Sequence, residues 1–137
     1  MANIFEMAHQ RRTEGAELLR RAKTPEEWEQ AREIYTSADM IIDAEGDSAW
    51  DVFRAYDNSR NNGNDILDFS DYYSEANIAG MIEAMKENEI KRFTLSSGWT
   101  NALQIAEKFV NAGCRLMGMT QVKTSKDPAP ALLFEIK

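Results

Sequence analysis

Asn58-Ser59-Arg60-Asn61-Asn62-Gly63-Asn64-Asp65-Ile66-Leu67-Asp68-Phe69 is the stretch where the pattern of the chain changes. Asn and Gly tolerate positive φ, and Asn side chains compete for backbone hydrogen bonds, so residues 58–64 read as a break. Beyond it, Ile66–Phe69 reads as a short strand. Residues 74–88 follow as a helix with Ile78, Met81, Ile82 and Met85 inside. Residues 90–96 read as a strand carrying Ile90, Phe93 and Leu95. Residues 99–112 read as a helix with Trp99, Leu103, Ala106, Phe109 and Val110 on the inner face, closed by Gly113. A strand over 114–123, a two-proline turn over 125–130 and a strand over 131–136 complete the chain. The order in residues 66–137 is β-α-β-α-β-β. Helical crossovers imply parallel strands, and the short turn implies a closing antiparallel hairpin.

Upstream of the break the periodicity is helical. Residues 3–23 form a first helix with Ile4, Phe5, Ala8, Leu18, Leu19 and Ala22 as inner-face candidates. Thr24-Pro25-Glu26-Glu27 supplies a cap hydroxyl, a proline at the first helical position and a capping-box glutamate. Trp28, Ala31, Tyr35, Ala38 and Ile42 then repeat at steps of three and four, opposite Glu29, Arg32, Glu33 and Asp43. Gly46 ends that helix. Asp47 or Ser48 is the expected cap of a third, with Ala49, Val52, Phe53 and Tyr56 on one side. The expectation is one α/β (α+β) domain over 1–137. Its helical part, 1–60, packs on a small mixed four-stranded sheet built from 64–137.

Length and composition agree. The 137 residues are 43% hydrophobic with three Trp, enough for one core. The lone Cys114 forms no intrachain disulfide and reads as a small core residue. No apolar run approaches the ~20 residues of a membrane helix, and Arg11-Arg12 follows rather than precedes the apolar start. A cytoplasmic location is expected, with no membrane contact. Charge is unevenly placed. Residues 25–89 hold four Lys/Arg against seventeen Asp/Glu, net −13, while 1–24 are net +2 and 90–137 net +4. A block this acidic repels nucleic acid and favours basic partners. The basic ends, including Arg12, Arg20, Lys91 and Arg115, are expected to pair with the acidic helices, within the molecule or across a homodimer.

The runs Glu45-Gly46-Asp47-Ser48, Phe53-Arg54-Ala55-Tyr56-Asp57-Asn58-Ser59-Arg60, Gly63-Asn64, Leu67-Asp68-Phe69, Phe93-Thr94-Leu95-Ser96-Ser97, Ala112-Gly113-Cys114-Arg115-Leu116 and Gly118 carry a resemblance. Over roughly residues 30–124 the chain resembles an uncharacterised family of small acidic proteins from Firmicutes and their mobile elements. The resemblance implies a genomic setting in which such proteins act on host defence systems, anti-CRISPR proteins among them. It assigns no catalytic role.

Three surfaces carry functional expectations. The acidic face of Glu26, Glu29, Glu33, Asp43, Asp47 and Asp51 suits a basic protein groove as a phosphate-row decoy, or is a solvated helix face. The turn Ser96, Ser97, Gly98 and Thr100 sits where a strand feeds a helix. It suits a small anion, or holds only a capping serine. Asp65, Asp68, Asp71 and Glu75 cluster around the first strand and suit Mg²⁺ in a metal-dependent nuclease, or are loop charges. His9 has no nucleophile partner, and the serines lack an elbow motif. The leading expectation is a non-enzymatic protein-binding protein that takes no cofactor and makes no direct nucleic-acid contact.

Overall fold

Asn3 starts the first helix: its side-chain oxygen accepts from the N–H groups of Phe5 (2.8 Å) and Glu6 (3.1 Å). The computed structural model describes residues 3–70, 77–96 and 102–137. Its elements are α1 (Ile4–Arg21), α2 (Pro25–Asp43), α3 (Asp47–Asn61), β1 (Leu67–Phe69), α4 (Ile78–Glu87), β2 (Arg92–Leu95), α5 (Ala102–Asn111), β3 (Cys114–Val122) and β4 (Ala129–Ile136). The capping box before α2 forms as read. Thr24 accepts from the Glu27 N–H and donates to its carboxylate, both at 3.1 Å. Before α3 the cap is Gly46, at φ 98°, rather than a side chain.

α1 and α2 form an antiparallel hairpin. Gly15 is what lets them meet: a Cβ there would lie 2.6–2.7 Å from backbone and Cβ atoms of Tyr35. Only one end of the hairpin joins the main core, through Phe5, Ala8, Ala38 and Ile42. The other end projects. This corrects the inner-face reading of Leu18 and Trp28. Both are exposed, Trp28 by 48%, because among the described residues no third layer reaches that end.

The sheet runs β1-β2-β4-β3. β1 lies parallel to β2 with Leu67 opposite Phe93 and Phe69 opposite Leu95. β4 is antiparallel to both β2 and β3. The mixed four-stranded sheet expected from the sequence is therefore present, with the β4 strand inserted where a second parallel neighbour would otherwise sit. One face carries Leu67, Phe69, Phe93, Leu95 and Phe134, all buried in the core with Met81 and Met85 of α4 and Phe109 of α5. Phe109 lies 4.8 Å from Phe93 and 5.7 Å from Phe134, ring centroid to centroid. Leu103 and Val110 of α5, expected inside, are exposed instead. The sheet takes only the narrow stripe of Ile105, Ala106 and Phe109. Positions 99–101 of the expected helix lie outside the described residues.

The two sheet edges differ. α3 covers β1, where the Ser59 hydroxyl accepts from the Asp68 N–H at 2.8 Å and donates to Ala55 O at 2.7 Å. β3 is last in the order, with a bulge between Leu116 and Gly118. Among the described residues no helix is long and apolar enough to cross a membrane.

Candidate functional site

The acidic surface is built by helical period. Ala31, Ala38 and Ile42 turn inward on α2, which puts Glu26, Glu29, Glu33, Met40 and Asp43 on the solvent side, all exposed. Asp47 at the start of α3 is exposed too, and Asp51 is half-buried. Trp50 Nε1 donates to Asp43 at 2.6 Å and ties the end of α2 to α3. Glu29 lies 3.7 Å from Arg32, and Asp51 3.7 Å from Arg54. Glu26, Glu33 and Asp47 have no cationic partner among the described residues. Five of the six expected residues thus share solvent-facing positions on α2 and at the head of α3, and the projecting hairpin end carries Glu26, Glu29 and Glu33.

Two further carboxylates of the acidic block are neutralised within the molecule. Arg12 of α1 reaches Asp39 of α2 at 3.0 Å and Asp57 of α3 at 3.2 Å. Its guanidinium sits 4.9 Å from the Phe53 ring centre. His9 Nδ1 is 2.8 Å from Asp57. Burial opposes the charge on Arg12, but Asp39 and Asp57 outweigh it and hold the guanidinium more firmly protonated than usual. The sequence pointed to basic ends pairing with acidic helices without saying which residues meet.

The second constellation lies on the sheet face opposite the phenylalanines. Asp68 is buried and accepts from Thr94 Oγ1 at 2.6 Å and Ser96 Oγ at 2.5 Å. Beside it a polar cleft of about 250 Å³ runs to Ser70, Asn62 and Lys123. Asn64 closes one wall. Its amide donates to Lys123 O at 2.8 Å and accepts from Lys123 N at 2.9 Å, standing in for a strand neighbour. From sequence Thr94 only opens the candidate anion turn, with no ligand role, and Asn64 belongs to no site. Their only sequence signals are a β-branched residue between Phe93 and Leu95, and an asparagine read as turn chemistry.

Two of the separately expected sites meet here. Ser96, expected to hold an anion, donates to the carboxylate of Asp68, whose charge opposes one. Ser97, Gly98 and Thr100 lie outside the described residues. Asp65 does not join Asp68; it is fully exposed and 3.7 Å from Arg60. Asp71 and Glu75 lie outside the described residues. Among the described ones, no group of three or more His, Cys, Asp or Glu is placed to hold a metal. Cys114 is buried in the core, and burial raises its thiol above the ordinary range, with Lys86 pulling the other way. Replacing Thr94 by valine removes one donor to a buried carboxylate while keeping the shape. The expected loss is about 1.5 kcal/mol, read as a lower denaturation midpoint.

A family model for a domain of unknown function (DUF7698) matches residues 51–130 of the chain. No curated protein and no solved structure matches it significantly.

Proposed function

This chain belongs to the DUF7698 family, and on that premise we propose that it is a non-enzymatic binding protein whose acidic α2–α3 surface docks on a basic protein. One observation carries the reading. Glu26, Glu33 and Asp47 stand exposed without cationic partners among the described residues, while Arg12 pairs with Asp39 and Asp57. Charge left uncompensated on a projecting hairpin accelerates encounter with an oppositely charged groove. Exposed Met40 and Trp28 on the same helix supply apolar contact beside that charge. The partner class we propose, following the resemblance to acidic proteins of mobile elements, is a nucleic-acid-handling host protein, a CRISPR effector or another defence nuclease.

The test is competition. The protein should displace nucleic acid from such an effector, and association should weaken as salt rises. The triple reversal Glu26→Lys, Glu29→Lys, Glu33→Lys should slow association about tenfold or more. Each exposed substitution should change stability by only about 0.5 kcal/mol. Equal displacement by wild type and reversal, or indifference to salt, reduces the acidic face to solvation.

A further inference from the structure

We propose that the polar cleft beside Asp68 binds a small hydroxylated primary amine of amino-sugar type, whose ammonium docks on the Asp68 carboxylate. The cleft opens at the carboxyl ends of the two parallel strands: Ser70 follows β1, Ser96 follows β2, and both line it. Open α/β sheets take their ligands beyond those strand ends. The Ser96 N–H donates to Phe69 O at 3.2 Å, which ties the two ends together and fixes the floor of the cleft.

Charge sets the sign of the ligand. Asp68 is 8% exposed, and among the described residues its carboxylate accepts from the Thr94 and Ser96 hydroxyls alone. Hydroxyls supply hydrogen bonds but no opposite charge. No Lys, Arg or His pairs with this carboxylate among the described residues, and residues 1–2, 71–76 and 97–101 contain no such side chain. A buried charge without a counter-charge is costly, and a bound cation relieves it. A carboxylate offers about four acceptor directions, so the two hydroxyls leave room for the N–H groups of an ammonium. The last turn of α3 acts in the same sense. Asn58 and Asn62 line the cleft from the C-terminal end of that helix, where the dipole favours a cation.

Polarity sets the rest of the ligand. Every described residue that lines the cleft is polar, and the volume of about 250 Å³ admits one sugar ring. Asn58 and Asn62 lie one turn apart, and their amides have no hydrogen-bond partner among the described residues. Each offers both a donor and an acceptor, which matches a hydroxyl group. Lys123 also lines the cleft, with Nζ 3.4 Å from Gly63 O, and its charge opposes a second ammonium. A single carboxylate balances a single positive charge. Among the described residues no group of three His, Cys, Asp or Glu is placed for a divalent metal instead.

Titration of the full chain with glucosamine, followed by NMR amide shifts, tests this. Saturable shifts are expected at residues 58–62, 68–70 and 94–96. N-acetylglucosamine and glucose keep the hydroxyls but lack the positive charge, and each should bind about tenfold more weakly or worse. Asp68→Asn removes the charge at constant size and should weaken glucosamine binding by about tenfold or more. Because Asp68 is buried, Asn62→Ala is the second variant. It touches no described hydrogen bond of that side chain, so circular dichroism should stay unchanged while binding weakens about threefold. Glucose binding as tightly as glucosamine overturns the proposal, and so does the absence of saturable shifts. Shifts confined to the acidic helices overturn it too, because they would report only attraction to a chain of net charge −7. The same holds if the diamine putrescine binds as tightly as glucosamine. Reversal of Glu26, Glu29 and Glu33 should leave glucosamine binding unchanged, which separates this cleft from the acidic docking surface.

Discussion

Replacing Phe93 by alanine is expected to cost about 3–5 kcal/mol, the usual range for deleting a fully buried phenylalanine. Phe93 is 0% exposed and stands on β2, between β1 and β4. Its ring lies edge-on to Phe69 at 5.6 Å and stacks on Phe134 at 5.1 Å, with Phe109 4.8 Å away. Those three neighbours come from β1, β4 and α5. Collapse into the void would have to move three elements at once, so relaxation recovers little. Small domains are stable by only about 5–15 kcal/mol, so the variant should lose on the order of 10–20 °C in midpoint temperature. Leu103→Ala on α5 is the control and should change stability by no more than about 0.5 kcal/mol. Chemical denaturation separates the two, and a Phe93→Ala loss below about 1 kcal/mol would contradict this core.

The order of elements was legible because a change of period is a local signal. The helical stripe through Ala31, Ala38 and Ile42 gives way at Asn58–Asn64 to apolar segments too short for helices. The hairpin of β3 and β4 was legible for the same reason, since its turn is short and holds Pro128, although β4 begins at Ala129 and takes in Pro130, which the sequence reading left in the turn. Strand order was not. Insertion of β4 between β2 and β3 depends on which edge of β2 is free, and Ser59, outside the sheet, helps cover the β1 side. Periodicity also reports that a helix has an apolar side without saying how far its partner extends. Trp28 shares the stripe of Ala31 yet projects past the core, and Leu103 flanks a stripe only as wide as Ile105 to Phe109. The acidic surface was readable because it lies opposite a legible stripe. The Asp68–Thr94–Ser96 network was not, because register sets it: Asp68 faces Thr94 only once β1 and β2 align. Read separately, Asp68 and Ser96 suggested a cation and an anion; together they satisfy each other.

Arg12 shows most clearly what local pattern cannot reveal, since its partners are 27 and 45 residues away. Arg12→Ala is expected to cost about 2–3 kcal/mol. Removing one member of a buried ion pair costs ~3–5 kcal/mol, because it strands the other charge. This site falls below that range for two reasons. Its side chain is 24% exposed, and its Nε is buried without a partner among the described residues, a cost that disappears with the residue. The substitution leaves Asp57 with His9 alone at 2.8 Å and strips Asp39 of its cation. Arg12→Lys should recover less than half of the loss. An ammonium is a point charge, and it neither spans two carboxylates on different helices nor lies flat beside Phe53 at 4.9 Å. Double-mutant cycles with Asp39→Asn and Asp57→Asn should give coupling of about 1 kcal/mol or more for each pair. Arg12→Ala also takes the net charge from −7 to −8 and leaves two more carboxylates unneutralised. Docking on a basic partner should therefore hold or quicken while stability falls. A loss of both together would place Arg12 in the docking surface itself. A stability change within about 0.5 kcal/mol would mean that its two ion pairs behave like ordinary surface pairs.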